Sequence, residues 1–223
     1  MPTFAAETES ADSGLDANFS VDLVSQYIWR GQNSGGVSFQ PGAGISWKGL
    51  SLSAWGSTGF RSKDTREVDF TLGYSWKGLT VDVTDYWFSG GPAYFHYKAH
   101  DTAHIYEAHI GYDFFGYVAL DWYTNFAGND GVGCTGRRAY SSYVQLSAPF
   151  KIKFLDWKAE VGATPWDTSF YGAHRFAVIN IGLQVGHTFP IAKKFGLSVY
   201  TKGVCNPRAE QCYFVAGVGF ATL

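Results

Sequence analysis

The alternation of apolar and polar side chains over Arg66–Phe88, around one tight turn, is the feature that most constrains this chain. Every second position of Val68–Trp76 is aliphatic or aromatic, and the positions between are charged, polar or glycine. The pattern resumes after Gly78. Because successive side chains of a strand point to opposite faces, each strand has one apolar and one polar face. The pattern recurs from Phe19 almost to the end, so the sequence predicts a protein built of such hairpins.

Composition narrows the choice of fold. Charged residues make up 16% of the chain, against roughly 25% in soluble proteins. Aromatic residues make up 18%, yet the mean hydropathy is only −0.10. No apolar run reaches the length of about 18 residues that a membrane helix needs. We therefore predict an all-β protein, a transmembrane antiparallel up-and-down β-barrel of about twelve strands. A soluble two-sheet sandwich is the alternative, but aromatic belts at the strand ends would serve no purpose in its core.

The predicted connections alternate between short and long. The turn Trp47–Leu50 is repeated as Trp76–Leu79. Barrels of the outer membrane have short periplasmic turns and longer extracellular loops, so we expect a multi-pass protein of the cell outer membrane. Residues 17–223 form the predicted barrel. Residues 1–16 are polar and acidic, and they are expected to be a flexible periplasmic tail or a segment docked on the barrel rim.

The predicted strands assign faces to individual side chains. A first strand over 18–30 places Tyr27 and Trp29 toward lipid, and a strand over 175–187 does the same for Ile179. Tryptophans at strand ends are typical of interface girdles, and Trp29, Trp87 and Trp122 would mark the outer one. Asp85 is the one misfit on the lipid face, expected near the outer interface or beside a bulge.

The polar face supplies the candidate pore. On it the strand pattern places nine acidic side chains against five basic ones, the latter including Lys48 and Lys77 at the turns. An acidic wall favours cations or neutral polar solutes, but a network of ion pairs that only stiffens the barrel explains it equally. The predicted pore-lining residues are Asp22, Arg30, Glu67, Asp69, Asp82, Glu107, His109, Asp121, Lys158, Glu160 and Lys202.

Cysteines and histidines suggest further sites. Cys205 and Cys212 flank one loop with the same parity, so they are predicted to form a disulfide in an oxidising compartment, while Cys134 stays free. His96, His100 and His104 are candidate metal ligands if their loop curls, although exposed loop histidines usually bind nothing, and no metal or other cofactor is predicted. The sequence has no Gly-x-Ser-x-Gly motif and no convincing serine–histidine spacing, so no enzyme is predicted either.

The segment Val21–Gln32 resembles the opening strand of the TorF-type outer-membrane porins of Bacteroidota, which reads roughly Ser-x-Tyr-x-Trp/Phe-Arg-Gly. Pro41 and the turn Trp47–Leu50 fit the same style. The resemblance covers about residues 19–56. It implies an outer-membrane barrel with a channel role, and it carries over the structural signature Ser25, Tyr27, Trp29, Arg30 and Gly31, with Arg30 facing inward at the outer mouth.

These observations predict passive diffusion of small polar or cationic solutes. The first alternative is a sealed barrel that serves as an accessory or docking subunit of a larger envelope complex, using loops 90–103 and 128–137 and the tail 1–16. The second alternative is an outer-membrane lipid hydrolase. The expected partners are outer-membrane lipid and lipopolysaccharide, the barrel-assembly machinery during biogenesis, and envelope proteins. A net charge of −2 argues against nucleic acid.

Overall fold

The structure, a computed structural model, describes residues 14–98 and 101–223. Twelve antiparallel strands close into one barrel, and two short strands form a separate hairpin. This confirms the predicted β-barrel of about twelve strands. The strands are β1 (Asp16–Val24), β2 (Tyr27–Trp29), β3 (Gln32–Gly35), β4 (Ser38–Trp47), β5 (Leu50–Gly59), β6 (Arg66–Trp76), β7 (Leu79–Phe88), β8 (His104–Phe114), β9 (Val118–Gly128), β10 (Ser142–Ile152), β11 (Leu155–Thr164), β12 (Ala177–Ala192), β13 (Phe195–Asn206) and β14 (Gln211–Thr222).

The barrel has a turn end and a loop end. At the turn end, neighbouring strands are joined by tight turns, and Lys48-Gly49 and Lys77-Gly78 have positive φ at both residues, the geometry that suits a twisted hairpin. At the loop end the connections are longer. β1 closes the barrel by pairing with β14 on one side and β4 on the other. The predicted tail over 1–16 lies outside the described residues as far as position 13, and its last residue, Asp16, already pairs with β4.

The turn lysines lie on the outside of the barrel. The ammonium groups of Lys48 and Lys77 are each 4.9 Å from the ring centroid of the preceding residue, Trp47 or Trp76. A tryptophan face attracts a cation through its ring quadrupole. The expectation that these two lysines contribute positive charge to the lumen is therefore wrong, and the inner wall has two basic groups fewer than predicted.

Burial separates the two faces as the alternation predicts. Leu72 and Leu183 on the outer face are 57% and 47% exposed, whereas Glu67 and Glu107 on the inner face are 3% and 2% exposed. A barrel with apolar groups outside and ionised groups inside is the arrangement suited to lipid. Across the described part of the chain, no helix is long and apolar enough to cross a membrane.

After Val24 the chain leaves the wall and turns inward. Among the described strands β2 and β3 pair with each other alone, and the chain rejoins the barrel at Ser38, which pairs with Val24. The predicted single strand over 18–30 is therefore wrong, and so is the placement of Tyr27 and Trp29 toward lipid. Their alternation continues because the β2–β3 hairpin is itself a strand pair. Its departure leaves Gln211–Val215, at the loop end of β14, with β13 as the one described strand to which they are ladder-paired.

A bulge reverses the predicted side of Ile179. Across β11 and β12, Gly162 pairs with Asn180 and Ala163 pairs with Val178, so Ile179 has no partner. An extra residue in one strand changes the side-chain parity beyond it. Ile179 is fully buried, and the expectation that it faces lipid is wrong.

The misfit Asp85 is paired with His104 beneath a cover of aromatic side chains. Its carboxylate lies 2.7 Å from His104 Nδ1, and His104 Nε2 lies 2.6 Å from the carbonyl oxygen of Tyr94. The rings of Tyr94 and Tyr97 pack on the imidazole. An ionised group on an apolar face is costly unless it is paired. The loop after β7 therefore folds over the wall and covers this pair.

Candidate functional site: the barrel lumen

The tip of the β2–β3 hairpin fits closely against the wall. Arg30 and Gly31 form its turn, with φ values of 49° and 75°. A Cβ atom on Gly31 would lie 1.8 Å from the carbonyl oxygen of Ile179. Asn206 Nδ2 donates to the Gly31 carbonyl oxygen at 3.1 Å. The tip needs a residue without a side chain here, which positions Arg30 with little freedom.

The guanidinium of Arg30 is enclosed inside the barrel. It donates through Nη1 and Nη2 to the two carboxylate oxygens of Glu107, at 2.5 and 2.8 Å, and through Nη1 to Tyr171 Oη at 2.8 Å. The ring centroids of Tyr123 and Tyr143 lie 4.1 and 4.8 Å from Arg30 Cζ. We call Glu107, Tyr123, Tyr143 and Tyr171 the Arg30 cage. It satisfies a buried cation with a bidentate partner and aromatic faces.

Trp29 extends this packing beside the cage. Its ring makes edge or tilted contacts with Tyr86, Phe170 and Tyr171, with centroids 5.9, 6.0 and 6.4 Å away. Tyr86 Oη also donates to Glu107 at 2.9 Å. Phe170 and Tyr171 belong to the loop between β11 and β12, which therefore enters the lumen as well. The hairpin and this loop therefore meet inside the lumen toward the loop end.

A second polar group lies on β7, β8 and β9. His109 Nδ1 lies 2.7 Å from Asp82, and its Nε2 lies 3.0 Å from Asp121. The imidazole also stacks on Tyr123, with centroids 4.2 Å apart. Two carboxylates on one wall would repel each other, and an imidazole between them bridges both. The two aspartates keep about a sixth of their side-chain surface exposed.

A third group joins β11, β12 and β13. Lys202 Nζ lies 2.6 Å from Glu160 Oε1. Asn180 Nδ2 donates to the same oxygen at 2.9 Å and to Tyr143 Oη at 3.1 Å. This group is therefore linked to the Arg30 cage through Tyr143. Polar networks of this kind hold buried side chains in one arrangement when every member has a partner.

Other inner carboxylates lack a cation. Glu67 and Asp69 on β6 are almost fully buried, and neither takes part in a salt bridge within the described ranges. Asp69 Oδ1 has no hydrogen-bond partner there either. Asp22 accepts a hydrogen bond from Tyr200 Oη at 3.3 Å. These three inner carboxyl groups are therefore held without a basic partner in the described part of the chain.

All eleven predicted pore-lining residues lie on the inner face or inside the lumen. Ten are in barrel strands, and Arg30 reaches the lumen from the hairpin tip. Lys158 faces inward beside Gln184, its register partner on β12. That these side chains line a conducting path stays a prediction. The inward position of Phe170 and Tyr171 could not be predicted from the sequence, because these loop residues follow no alternation.

The candidate metal ligands are differently placed. Both ring nitrogens of His104 are taken by Asp85 and Tyr94, and His96 Nε2 lies 3.0 Å from Asp101. His100 lies outside the described residues. In the described part of the chain, no group of three or more histidine, cysteine, aspartate or glutamate side chains is arranged to hold a metal ion.

The cysteines pair as predicted. Cys205 and Cys212 are register partners on β13 and β14 and form a disulfide, and Cys134 is free and exposed. The backbone N–H of Cys134 donates to the carboxylate of Asp167. This hydrogen bond lowers the pKa of Asp167 below its usual value. It also ties the loop after β9 to the loop after β11.

Comparisons with known proteins place the fold. No protein-family model matches the sequence, and no curated protein matches it. The chain is similar to the KdgM porin, with a TM-score of 0.50 and 9% identity over 93% of this chain and 98% of that one. The KdgM porin in complex with disordered oligogalacturonate gives a TM-score of 0.53 at 9% identity, with the same shares covered. For the NanC porin the TM-score is 0.47 at 8% identity, over 93% of this chain and 100% of that one. The two KdgM structures establish a porin-like barrel fold.

Proposed function

We propose that this chain is an outer-membrane channel for passive diffusion of small polar or cationic solutes, narrowed at the loop end by the β2–β3 hairpin. The observation that carries the proposal is the polarity of the lumen. Of the eleven candidate residues, seven are carboxylates and three are lysine or arginine. A wall with excess negative charge concentrates cations and repels anions.

The basic side chains inside the barrel do not pair with all of its acidic side chains. Arg30 and Lys202 each pair with one glutamate, and His109 is shared by two aspartates. Glu67 and Asp69 keep no basic partner among the described residues. Asp82 and Asp121, which share one imidazole, keep part of their side-chain surface exposed. These accessible acidic groups support a role in conduction.

The acidic residues of the lumen also indicate which class of solute the channel would accept. The KdgM porin has been solved with an oligogalacturonate, a chain of acidic sugars that would be repelled by carboxylates. Neutral or positively charged solutes suit the present wall better. We therefore propose a shared architecture with a different solute class.

The experiment compares the full chain with a variant that lacks the hairpin. Ser25 and Val37 flank the register pair of Val24 and Ser38, so Asn-Gly can replace residues 26–36 as a two-residue hairpin turn. In planar bilayers we expect small or rare conductance steps from the full chain and severalfold larger steps from the variant. A correctly folded variant that never conducts would refute the channel.

That refuting result would favour the second candidate, a sealed barrel acting as an accessory subunit of an envelope complex. The observation in its favour is the double hydrogen bond between Arg30 and Glu107, which holds the hairpin in the lumen. Its proposed docking surface would comprise the loops at 90–103 and 128–137 with the tail 1–16. The third hypothesis, a lipid hydrolase, has no supporting arrangement, since no serine–histidine hydrogen bond joins residues in the described ranges.

A further inference from the structure

We propose that the Arg30 cage is a binding site for guanidinium-bearing or amine-bearing solutes, which Arg30 occupies as an internal ligand. The proposal names a solute class for the channel proposed above and in that sense rests on it. A solute of this class would compete with Arg30 for the cage and so release the hairpin from the wall.

The cage consists mainly of residues that stay when the hairpin leaves. Glu107, Tyr123 and Tyr143 lie on β8, β9 and β10, three adjacent barrel strands. Their positions are fixed by the ladder of the wall and not by the hairpin. Tyr171 is held in its own loop. Withdrawal of Arg30 would therefore leave a carboxylate between aromatic faces, open to another cation.

The occupant is presented in the way a ligand would be. Arg30 is at the tip of a two-strand stalk that pairs with no barrel strand in the described part of the chain. Its guanidinium meets the wall through hydrogen bonds and ring faces, with no covalent or ladder connection to β8, β9 or β10. A small molecule that carries the same group can therefore make the same contacts.

The contacts within the Arg30 cage favour particular chemical groups. Two parallel N–H donors meet the two oxygens of Glu107, which a planar guanidinium satisfies and a neutral urea satisfies without the charge. The faces of Tyr123 and Tyr143 favour a cation and disfavour an anion. An alkylammonium group would make the cation–π contacts but only one of the paired hydrogen bonds at a time. We expect the affinity of the cage to be highest for guanidinium groups, lower for ammonium groups and lowest for neutral amides, and we expect carboxylates not to bind.

Chemical replacement of the lost side chain tests the proposal. Arg30→Ala removes the atoms that ethylguanidinium supplies. Calorimetric titration of this full-length variant in detergent with ethylguanidinium should therefore show saturable binding. N-ethylurea, a neutral molecule of similar shape, should bind at least about tenfold more weakly, as expected for the loss of charge-assisted hydrogen bonds. Addition of Glu107→Gln should weaken ethylguanidinium binding by a similar factor.

The controls separate the possible outcomes. Arg208→Ala, in the exposed turn between β13 and β14, should bind ethylguanidinium much more weakly than Arg30→Ala does, because Arg30 still competes for the cage. If Arg30→Ala fails to fold, Arg30→Gln, which keeps a donor without the charge, receives the same titration. A folded variant of either kind that binds ethylguanidinium no better than N-ethylurea overturns the proposal.

The titration needs no bilayer, so its result is independent of conduction. Binding by a barrel that never conducts would overturn the channel and leave the cage as a receptor site. Conduction without binding would do the reverse. Equal binding to Arg30→Ala with and without Glu107→Gln would place the probe elsewhere and overturn the assignment to the cage.

Discussion

Arg30 and Glu107 lie 77 positions apart in the chain and share two hydrogen bonds inside the barrel, at 2.5 and 2.8 Å. The pair joins the tip of the β2–β3 hairpin to strand β8, at the fourth of its 11 residues. Both side chains are nearly inaccessible to solvent. The contact between the hairpin and the wall therefore depends strongly on one pair of opposite charges.

Glu107→Gln should loosen the barrel and free the hairpin. Removing one partner of a buried ion pair typically costs about 3–5 kcal/mol, because the other charge is left uncompensated. Urea unfolding of the detergent-solubilised protein should show this loss. The double variant Arg30→Met with Glu107→Leu should lose less than Glu107→Gln alone. An unchanged unfolding midpoint in Glu107→Gln would contradict the importance of the pair.

Gly31→Ala should expel the hairpin tip. A methyl group there would overlap the carbonyl of Ile179, at 1.8 Å. Gly136→Ala is a matched control, since Gly136 has a similar φ of 71° but nothing within 4 Å of the added atom. We expect larger conductance steps from the first variant only. The same change in both variants would mean that backbone strain, and not the contact, is responsible.

Neutralising Asp69 and Asp121 should reduce the preference for cations. Asp69 has no basic partner in the described ranges, and Asp121 lies beside His109 on the inner wall. The reversal potential in a salt gradient should move toward zero in Asp69→Asn with Asp121→Asn. Glu210→Gln, a neutralisation in an exposed loop, should leave it unchanged. A double variant that stays as selective as the parent would place the selectivity elsewhere.

His104→Leu should destabilise the protein more than the joint replacement of His104 and Asp85. The single change leaves the Asp85 carboxylate on an apolar face, whereas Asp85→Leu removes that charge. Unpaired ionised groups in such positions cost several kcal/mol. Unfolding midpoints of the single and double variants measure the difference. A double variant no more stable than the single one would show that the role of His104 has another basis.

Asp167→Ala should weaken the link between the two outer loops. The pKa of Asp167 is lowered by the Cys134 N–H, so the stabilising carboxylate form is fully present above the ordinary pKa. It is lost as the pH falls through the lowered pKa. Amide exchange at Cys134 should therefore accelerate in the variant, and in the parent at sufficiently acid pH after correction for intrinsic rates. Asp64→Ala, which removes a comparable acceptor from Arg61 in another loop, should not affect it.

The barrel could be predicted because a wall between lipid and water imposes a period of two. That rule acts on every strand, so the faces of Val68–Trp76 can be assigned without knowing any neighbour. The same rule explains the failure at Tyr27 and Trp29. A hairpin inside the lumen also alternates, and its aromatic side chains look like those of an interface girdle.

The site could be predicted only as a list of inward residues. Parity places Glu107, His109 and Asp121 on one face, but the choice of partner depends on three-dimensional proximity. The pairing of Arg30 with Glu107 depends on where the hairpin tip stops, and no local pattern encodes that. The bulge at Ile179 could not be predicted from the sequence either, because an extra residue does not change the composition of the strand.

The inward departure of the chain after Val24 gives the cystine its importance. Among the described strands, β13 alone is ladder-paired with Gln211–Val215, and the disulfide between Cys205 and Cys212 joins this stretch to β13. This covalent bond compensates for the strand pairing that Gln211–Val215 lack on their other side. We therefore expect the loop end of β14 to stay folded where thiols are oxidised and to unfold first where they are reduced. The stability of the barrel closure would then depend on the redox conditions around the protein.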